Sequence, residues 1–227
     1  MSTLSMERVT YKYRNAGTAA VKEATCAFEP GRMYAVVGPS GSGKSTLLSM
    51  LAGLDLPSEG SVRYGEKSTG DMDLDRYRRE DISMIFQAFQ LFPLLTVTEN
   101  VCYPMELVGM DPKEAKHKAE ECLRRVGITS EEMKRFPSNL SGGQQQRVAI
   151  ARSLASGART ILADEPTGNL DAENTGNIMD ILESLARDDG YCVVVVTHDM
   201  EIAERADVVY KMTDGVIAVG GKQAAPD

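Results

Sequence analysis

The chain has 227 residues, 42% of them hydrophobic and 26% charged, and carries a net charge of −8. That is enough for one substantial core and a subdomain, and the acidic balance argues against a dedicated nucleic-acid binder. The longest apolar run, Cys192 to Val196, is far short of the roughly 20 residues that a membrane span needs.

Met1 to Tyr13 lacks the basic-then-apolar pattern of a secretory leader, so the protein is expected in the cytosol. Met6 to Tyr13 and Val21 to Phe28 read as strands separated by the turn signal Asn15-Ala16-Gly17. Met33 to Val37 is a short apolar strand running into a glycine-rich loop. Thr46 to Leu54 follows as a helix with Leu47, Leu48, Leu51 and Leu54 near one face. Pro57-Ser58-Glu59-Gly60 is a turn, Ser61 to Tyr64 a short strand, and Ile82 to Phe86 a buried strand. From Thr96 to Ala155 the pattern is mostly helical. Ala115, Ala119, Cys122, Leu123 and Val126 line one face of a helix entered at Pro112 and stopped at Gly127, with Lys113, Lys116 and Glu120 solvated. Strand and helix then alternate: Thr160 to Ala163, a helix striped by Ile178, Ile181, Leu182 and Leu185, and Tyr191 to Thr197, apolar throughout as in a strand buried on both faces. Val208 to Met212 and Val216 to Val219 form a closing hairpin around Thr213-Asp214-Gly215, and loose order is expected from Gly220. Alternating strands and helices imply an α/β fold with a mainly parallel sheet, into which the helical stretch is inserted. Cys26, Cys102, Cys122 and Cys192 show no Cys-x-x-Cys pairing and read as small buried residues in a reducing compartment. With only His117 and His198 available, a His-rich zinc site is excluded.

Three segments carry chemistry. Gly38-Pro39-Ser40-Gly41-Ser42-Gly43-Lys44-Ser45 fits Gly-x-x-x-x-Gly-Lys-Ser/Thr between a strand and a helix. Such a loop turns backbone N–H groups onto phosphate oxygens at a helix N-terminus; Lys44 reaches the β- and γ-phosphates and Ser45 holds Mg²⁺. An incidental glycine turn would not bring strand, Lys-Ser pair and helix together. Thr160 to Glu165 delivers carboxylates to a strand end: Asp164 for Mg²⁺ and Glu165 for the attacking water. Alone, Asp-Glu at a strand end is usually a solvated acidic turn; the phosphate loop reverses that judgement. His198 and Gln87 follow strands placed on the same sheet edge, where the first can sense the γ-phosphate and the second can coordinate Mg²⁺ and water, although either alone is more often structural. The pentapeptide Leu140-Ser141-Gly142-Gly143-Gln144 opens a helix through Val148, Ala151 and Leu154. Its plain reading is a serine cap. Its sharper reading is a second phosphate-binding helix N-terminus, of use only against nucleotide held by a partner subunit.

Together these residues resemble the nucleotide-binding subunit of ATP-binding cassette transporters, over nearly the whole chain, with Leu140 to Gln144 as that family's signature. The resemblance implies a P-loop NTPase fold, with an N-terminal antiparallel β subdomain, a core over about 1–87 and 156–220 and a helical subdomain over about 88–155 of the 227 residues. It implies ATP and Mg²⁺ as cofactors. Nucleotide contacts are then expected from Tyr13, stacked on adenine with Tyr11 as a competing candidate, from the loop Gly38 to Ser45, from Thr46, and from Ser141, Gly142, Gly143 and Gln144. Asn169-Leu170-Asp171 resembles the loop that communicates between paired subunits. The partners implied are a second ATPase subunit, identical or different, and a transmembrane permease that holds the ATPase at the inner face of the cell membrane. Gln87 to Leu95 is apolar for a loop, and its Phe89, Leu91, Phe92 and Leu94 are candidate permease contacts.

Ile161 to Asp171 and Ser141 to Arg147 are similar to one exporter branch, that of macrolide-export, lipoprotein-release and antimicrobial-peptide systems together with the cell-division ATPase. A DNA-repair relative would need a long coiled-coil insertion and a translation-associated one two cassettes, and neither is present in the sequence. An importer ATPase often appends a regulatory domain beyond the hairpin, whereas this chain stops near Asp227.

Overall fold

The computed structural model describes residues 2–14 and 16–221; Asn15 of the expected turn and residues 222–227 lie outside them. The described elements run β1 (Leu4–Tyr11), β2 (Val21–Phe28), β3 (Met33–Val37), α1 (Lys44–Leu51), β4 (Glu59–Tyr64), β5 (Lys67–Ser68), α2 (Leu74–Glu80), β6 (Ile82–Phe86), α3 (Val97–Leu107), α4 (Pro112–Arg125), α5 (Gly142–Ser156), β7 (Thr160–Asp164), α6 (Ala172–Arg187), β8 (Cys192–Thr197), α7 (Met200–Glu204), β9 (Val208–Thr213) and β10 (Val216–Gly221).

Six strands in the order β10-β9-β3-β8-β7-β6 make the central sheet, and four in the order β2-β1-β4-β5 make a second. Within the central sheet β9, β3, β8, β7 and β6 pair in parallel and only the β9–β10 hairpin is antiparallel; the pairs of the second sheet are all antiparallel. This is the expected α/β architecture, with its N-terminal antiparallel part. Because side chains alternate along a strand, Ala35, Ala163 and Val195 enter the core shared with α3 to α6. Their neighbours Val36, Leu162 and Val194 enter the core beneath α1 and the second sheet. β8 lies between β3 and β7 and is buried along its whole length, which is why its sequence carries no polar alternation.

The helices α3, α4 and α5 pack through Val101, Met105, Ala115, Ala119, Leu123, Val148 and Ala151, in the core that continues under the sheet. Cys122 is only half-buried, and Gly127 directly follows the α4 C-cap, Val126. Several boundaries differ from expectation. α1 begins at Lys44, inside the phosphate loop, and ends at Leu51, leaving Leu54 exposed beyond it. β1 ends at Tyr11 rather than Tyr13. β4 takes in Glu59 and Gly60, since Glu59 pairs with Thr10 across a bulge in β1. Gly220 and Gly221 continue β10. The short α2 and α7, absent from the sequence reading, are started by Asp73 and Asp199, whose carboxylates accept from backbone N–H groups of the first turn.

Candidate functional site

Parallel pairing sets the site. Val37 is level with Thr197, Asp164 with Val196, and Phe86 with Asp164. The residues that follow these strands therefore emerge along one edge, where ligands of open α/β sheets bind. A cleft of about 770 Å³ opens there, lined by Tyr13, Ala20, Pro39, Ser40, Gly41, Gly43, Lys44, Ser45, Thr46, Gln87, Asp164, Glu165 and His198. Of the residues expected in the phosphate loop, Gly38 and Ser42 lie behind this lining. Gly38 gives its carbonyl to Lys44, and the buried Ser42 donates its N–H to Pro39 O at 3.2 Å.

Gly43, at φ 104°, turns the chain into α1, so Lys44 stands in the first helical turn. The nearly buried Lys44 ammonium donates to the carbonyls of Gly38 (2.7 Å) and Pro39 (3.0 Å), acceptors that an anionic ligand would replace. Ser45 Oγ donates to Asp164 Oδ1 at 3.3 Å. Burial pushes the Asp164 carboxyl above the ordinary carboxylate range, against the hydrogen bond from Ser45 and the charge of Lys44. Tyr13 OH is 2.9 Å from Thr46 Oγ1, which places its ring at the cleft mouth, while Tyr11 donates to Asp55 at 3.1 Å and does not line the cleft. Of the two candidate aromatics, Tyr13 alone lines the cleft.

Glu165 is held at φ 46°, a left-handed conformation that costs on the order of 1–3 kcal/mol and persists only where surroundings over-determine it. Its N–H donates to Val196 O at 2.9 Å and its carbonyl accepts from Gly168 at 3.1 Å. One carboxylate oxygen accepts from Thr197 Oγ1 at 3.2 Å and the other lies 2.8 Å from His198 Nδ1. Gln87 and Asn169 are joined both ways: Gln87 Nε2 donates to Asn169 Oδ1 at 3.4 Å and Asn169 Nδ2 to Gln87 O at 3.1 Å. Thr197, buried at the end of β8, and Asn169 do not line the cleft but hold Glu165 and Gln87, which do, and the sequence reading assigned neither to it. Thr197 is the last residue of an apolar run that ends at a histidine, and that polar ending was the available signal.

Ser141, Gly142, Gly143 and Gln144 do not line the cleft. Ser141 caps α5: Gln144 N–H donates to Ser141 Oγ at 3.3 Å, and Ser141 N–H donates to Gln144 Oε1 at 2.8 Å. The serine hydroxyl accepts in that bond and keeps its own proton for another acceptor, so the cap and an outward ligand are compatible. Ser141 itself is exposed.

A family model described as ABC transporter matches residues 21–168. The lipoprotein-releasing system ATP-binding protein LolD of Idiomarina loihiensis is 38% identical over 219 residues, covering 94% of this chain and 96% of that protein. The macrolide export ATP-binding/permease protein MacB of Rhodopseudomonas palustris is 44% identical over 213 residues, covering 92% of this chain but 32% of that longer protein. Among solved structures, the dimeric cassette MJ0796, from Methanocaldococcus jannaschii, superposes with a TM-score of 0.89 at 38% identity, covering 98% of this chain and 100% of the other. Its post-hydrolysis dimer bound to ADP and Pi superposes equally well, with a TM-score of 0.89. No helix among the described residues is long and apolar enough to cross a membrane. The chain belongs to the ABC transporter family as an ATP-binding subunit, an ATPase.

Proposed function

We propose that two copies of this subunit clamp ATP head to tail and that closure drives a separate permease of the export or force-transmitting kind. The observation that carries this reading is a division within one chain. Lys44, Ser45, Asp164, Glu165, Gln87 and His198 converge on a single cleft, while the Ser141 helix N-terminus lies outside it and is exposed. A helix N-terminus with free N–H groups favours phosphate, and the phosphate it meets belongs to the other copy. The helical part, about residues 88–155, then carries Ser141, Gly142, Gly143 and Gln144 toward the partner's nucleotide.

Lys44 releases the Gly38 and Pro39 carbonyls to bind β- and γ-phosphate oxygens, and the backbone of Gly38 to Thr46 wraps the phosphates. Tyr13 stacks on the base. The oxygen donors of Ser45, Asp164 and Gln87 suit Mg²⁺, which would offset phosphate charge. Glu165 orients and deprotonates the attacking water. Thr197 and His198 hold its carboxylate at both oxygens, and His198, exposed at the rim, is free to turn to the γ-phosphate. A ligand shifts a conformational equilibrium only by differential affinity; the γ-phosphate supplies it by bonding both copies only in the closed pair.

Exposure supports a permease face on this loop. Leu94 is 86% exposed and Phe92 41%, and Leu54, Tyr103 and Leu107 are exposed with them. Of the four candidate contacts, Leu91 instead packs on the core and Phe89 lies against Gly142. The names of the lipoprotein-releasing and macrolide-export relatives favour export or force transmission, at the cytoplasmic face of the membrane, over import or control of cell-wall hydrolysis.

Glu165→Gln is expected to bind ATP and elute as a dimer in its presence, with hydrolysis lowered by about 10²-fold or more, the scale of a lost general base. Size-exclusion runs with and without ATP, beside a phosphate-release assay, check it. Normal turnover in this variant sinks the role of Glu165.

A further inference from the structure

The loop after β6 contains two consecutive non-glycine residues in the left-handed region, Phe89 at φ 57° and Gln90 at φ 51°. Phe89 N–H closes a turn onto Phe86 O at 3.2 Å and Gln90 N–H bonds Ala88 O at 2.6 Å. Neither residue type visits this region without cost, so something beyond the local turn must hold the pair. Arg152 does so from α5: its Nη1 donates to Gln90 O at 2.6 Å and its Nη2 to Phe89 O at 3.1 Å. Among the described residues no carboxylate pairs with this half-buried guanidinium. Its fork is spent on backbone, and arginine presents such a fork with fixed geometry that lysine lacks.

The position in the fold gives this clamp a consequence. Arg152 and Ser141 stand at opposite ends of α5, about 16 Å apart at 1.5 Å per residue. The Phe89 ring also lies near the other end of the helix, where a Cβ on Gly142 would sit 3.6 Å from Phe89 Cζ. Gln87 enters the cleft two residues before the clamped turn. We infer that Arg152 is a positioning residue, gripping the Phe89–Gln90 turn so that Gln87 is presented to the cleft and moves as one body with the helix that Ser141 caps. This rests on the cassette reading above. It means that the seating of Ser141 on a partner's nucleotide is transmitted through α5 to Gln87 of the same chain, by two hydrogen bonds outside every motif.

Arg152→Lys keeps the charge and removes the fork. In the nucleotide-free full chain, hydrogen exchange at amides 88–91 is expected to speed up by about tenfold, as in a local opening. Turnover is expected to fall by roughly ten- to a hundredfold, the scale of a misplaced active-site group, while ATP affinity stays within about twofold, because the Lys44 loop is untouched. Gln90→Val, which resists the left-handed region without altering α5, is expected to reproduce both effects, and Gln90→Asn, which adopts that region readily, to restore part of the turnover in Arg152→Lys. Wild-type exchange and wild-type turnover in Arg152→Lys, or in Gln90→Val should the first variant not fold, overturn the inference. Gln87→Ala is the control: if it lowers turnover and Arg152→Lys does not, the inference alone fails. Normal turnover in Gln87→Ala instead overturns the role of Gln87, and the exchange rates still decide whether Arg152 holds the turn.

Discussion

Single atoms decide how α5 meets the first turn of α6. A Cβ on Gly143 would collide with the Asn174 side-chain amide, and that amide is not free to leave: Asn174 Nδ2 donates to both Asp171 carboxylate oxygens at 2.9 Å. Alanine in a helix gains about 0.5–1 kcal/mol over glycine, whereas overpacking against a held neighbour costs about 1–3 kcal/mol. The clash wins, so Gly143→Ala is expected to lower unfolding stability by about 1–2 kcal/mol. Gly176, inside α6, has nothing within 4 Å of its would-be Cβ, so Gly176→Ala is expected to gain about 0.5–1 kcal/mol. Urea midpoints at unchanged m-value check both, and equal signs for the two would refute the packing argument. In the sequence Gly143 stood out only through the pentapeptide, and Gly176 did not stand out at all. Asn174 has no motif to announce it, because its importance is a distance to another element.

At the scale of elements, start signals outlast patterns. α3 is opened by a reciprocal box: Glu99 N–H donates to Thr96 Oγ1 at 3.3 Å, and Thr96 N–H and Oγ1 both donate to Glu99 Oε2 at 2.7 Å. The Thr96 hydroxyl first, and its N–H second, hold the Glu99 carboxyl below the usual carboxylate range. A depressed folded-state value stabilises the fold above the unfolded pKa, about 4.3 for Glu, and the contribution is lost as pH falls through the folded value. Thr96→Ala is therefore expected to cost about 1 kcal/mol at pH 7. The coupling between Thr96→Ala and Glu99→Ala in a double-mutant cycle should vanish at acid pH, and a coupling that persists there would rule out the ionised carboxylate as its source. β3 and β6 were legible to the residue because each is a mostly apolar run, and β2 because Ala24, Cys26 and Phe28 are buried in alternation with exposed neighbours. α2 and α7 were not: Leu74 to Glu80 is mostly charged, only Tyr77 is buried, and no window of this length sets a helical period. Their capping aspartates, Asp73 and Asp199, were the surviving signal. The cleft was legible as a set of strand endings, since parallel register brings equal ends to one edge. Which tyrosine lines the cleft was not legible, because it depends on where β1 ends, with Tyr11 turned to Asp55 and Tyr13 to Thr46.

At the scale of the molecule, if Ser141 serves a partner's nucleotide, one chain holds two halves of a site that do not face each other, which makes the assembly testable by mixing. Ser141→Arg places bulk and charge where the partner's phosphate must seat, and is expected to abolish turnover alone while leaving the chain's own cleft intact. Glu165→Gln is expected to lower turnover by about 10²-fold or more from the other half. In a head-to-tail pair with one copy of each, the cleft of the Ser141→Arg copy keeps Glu165 and meets an unaltered Ser141 from its partner, so one site is whole and the other carries both lesions. Symmetric, self-complementary pairing requires this arithmetic. Two inactive preparations are then expected to regain part of the wild-type turnover on mixing with ATP, in proportion to the mixed pairs formed. Were Ser141 instead to serve the cleft of its own chain, every site in the mixture would carry one lesion and mixing would restore nothing.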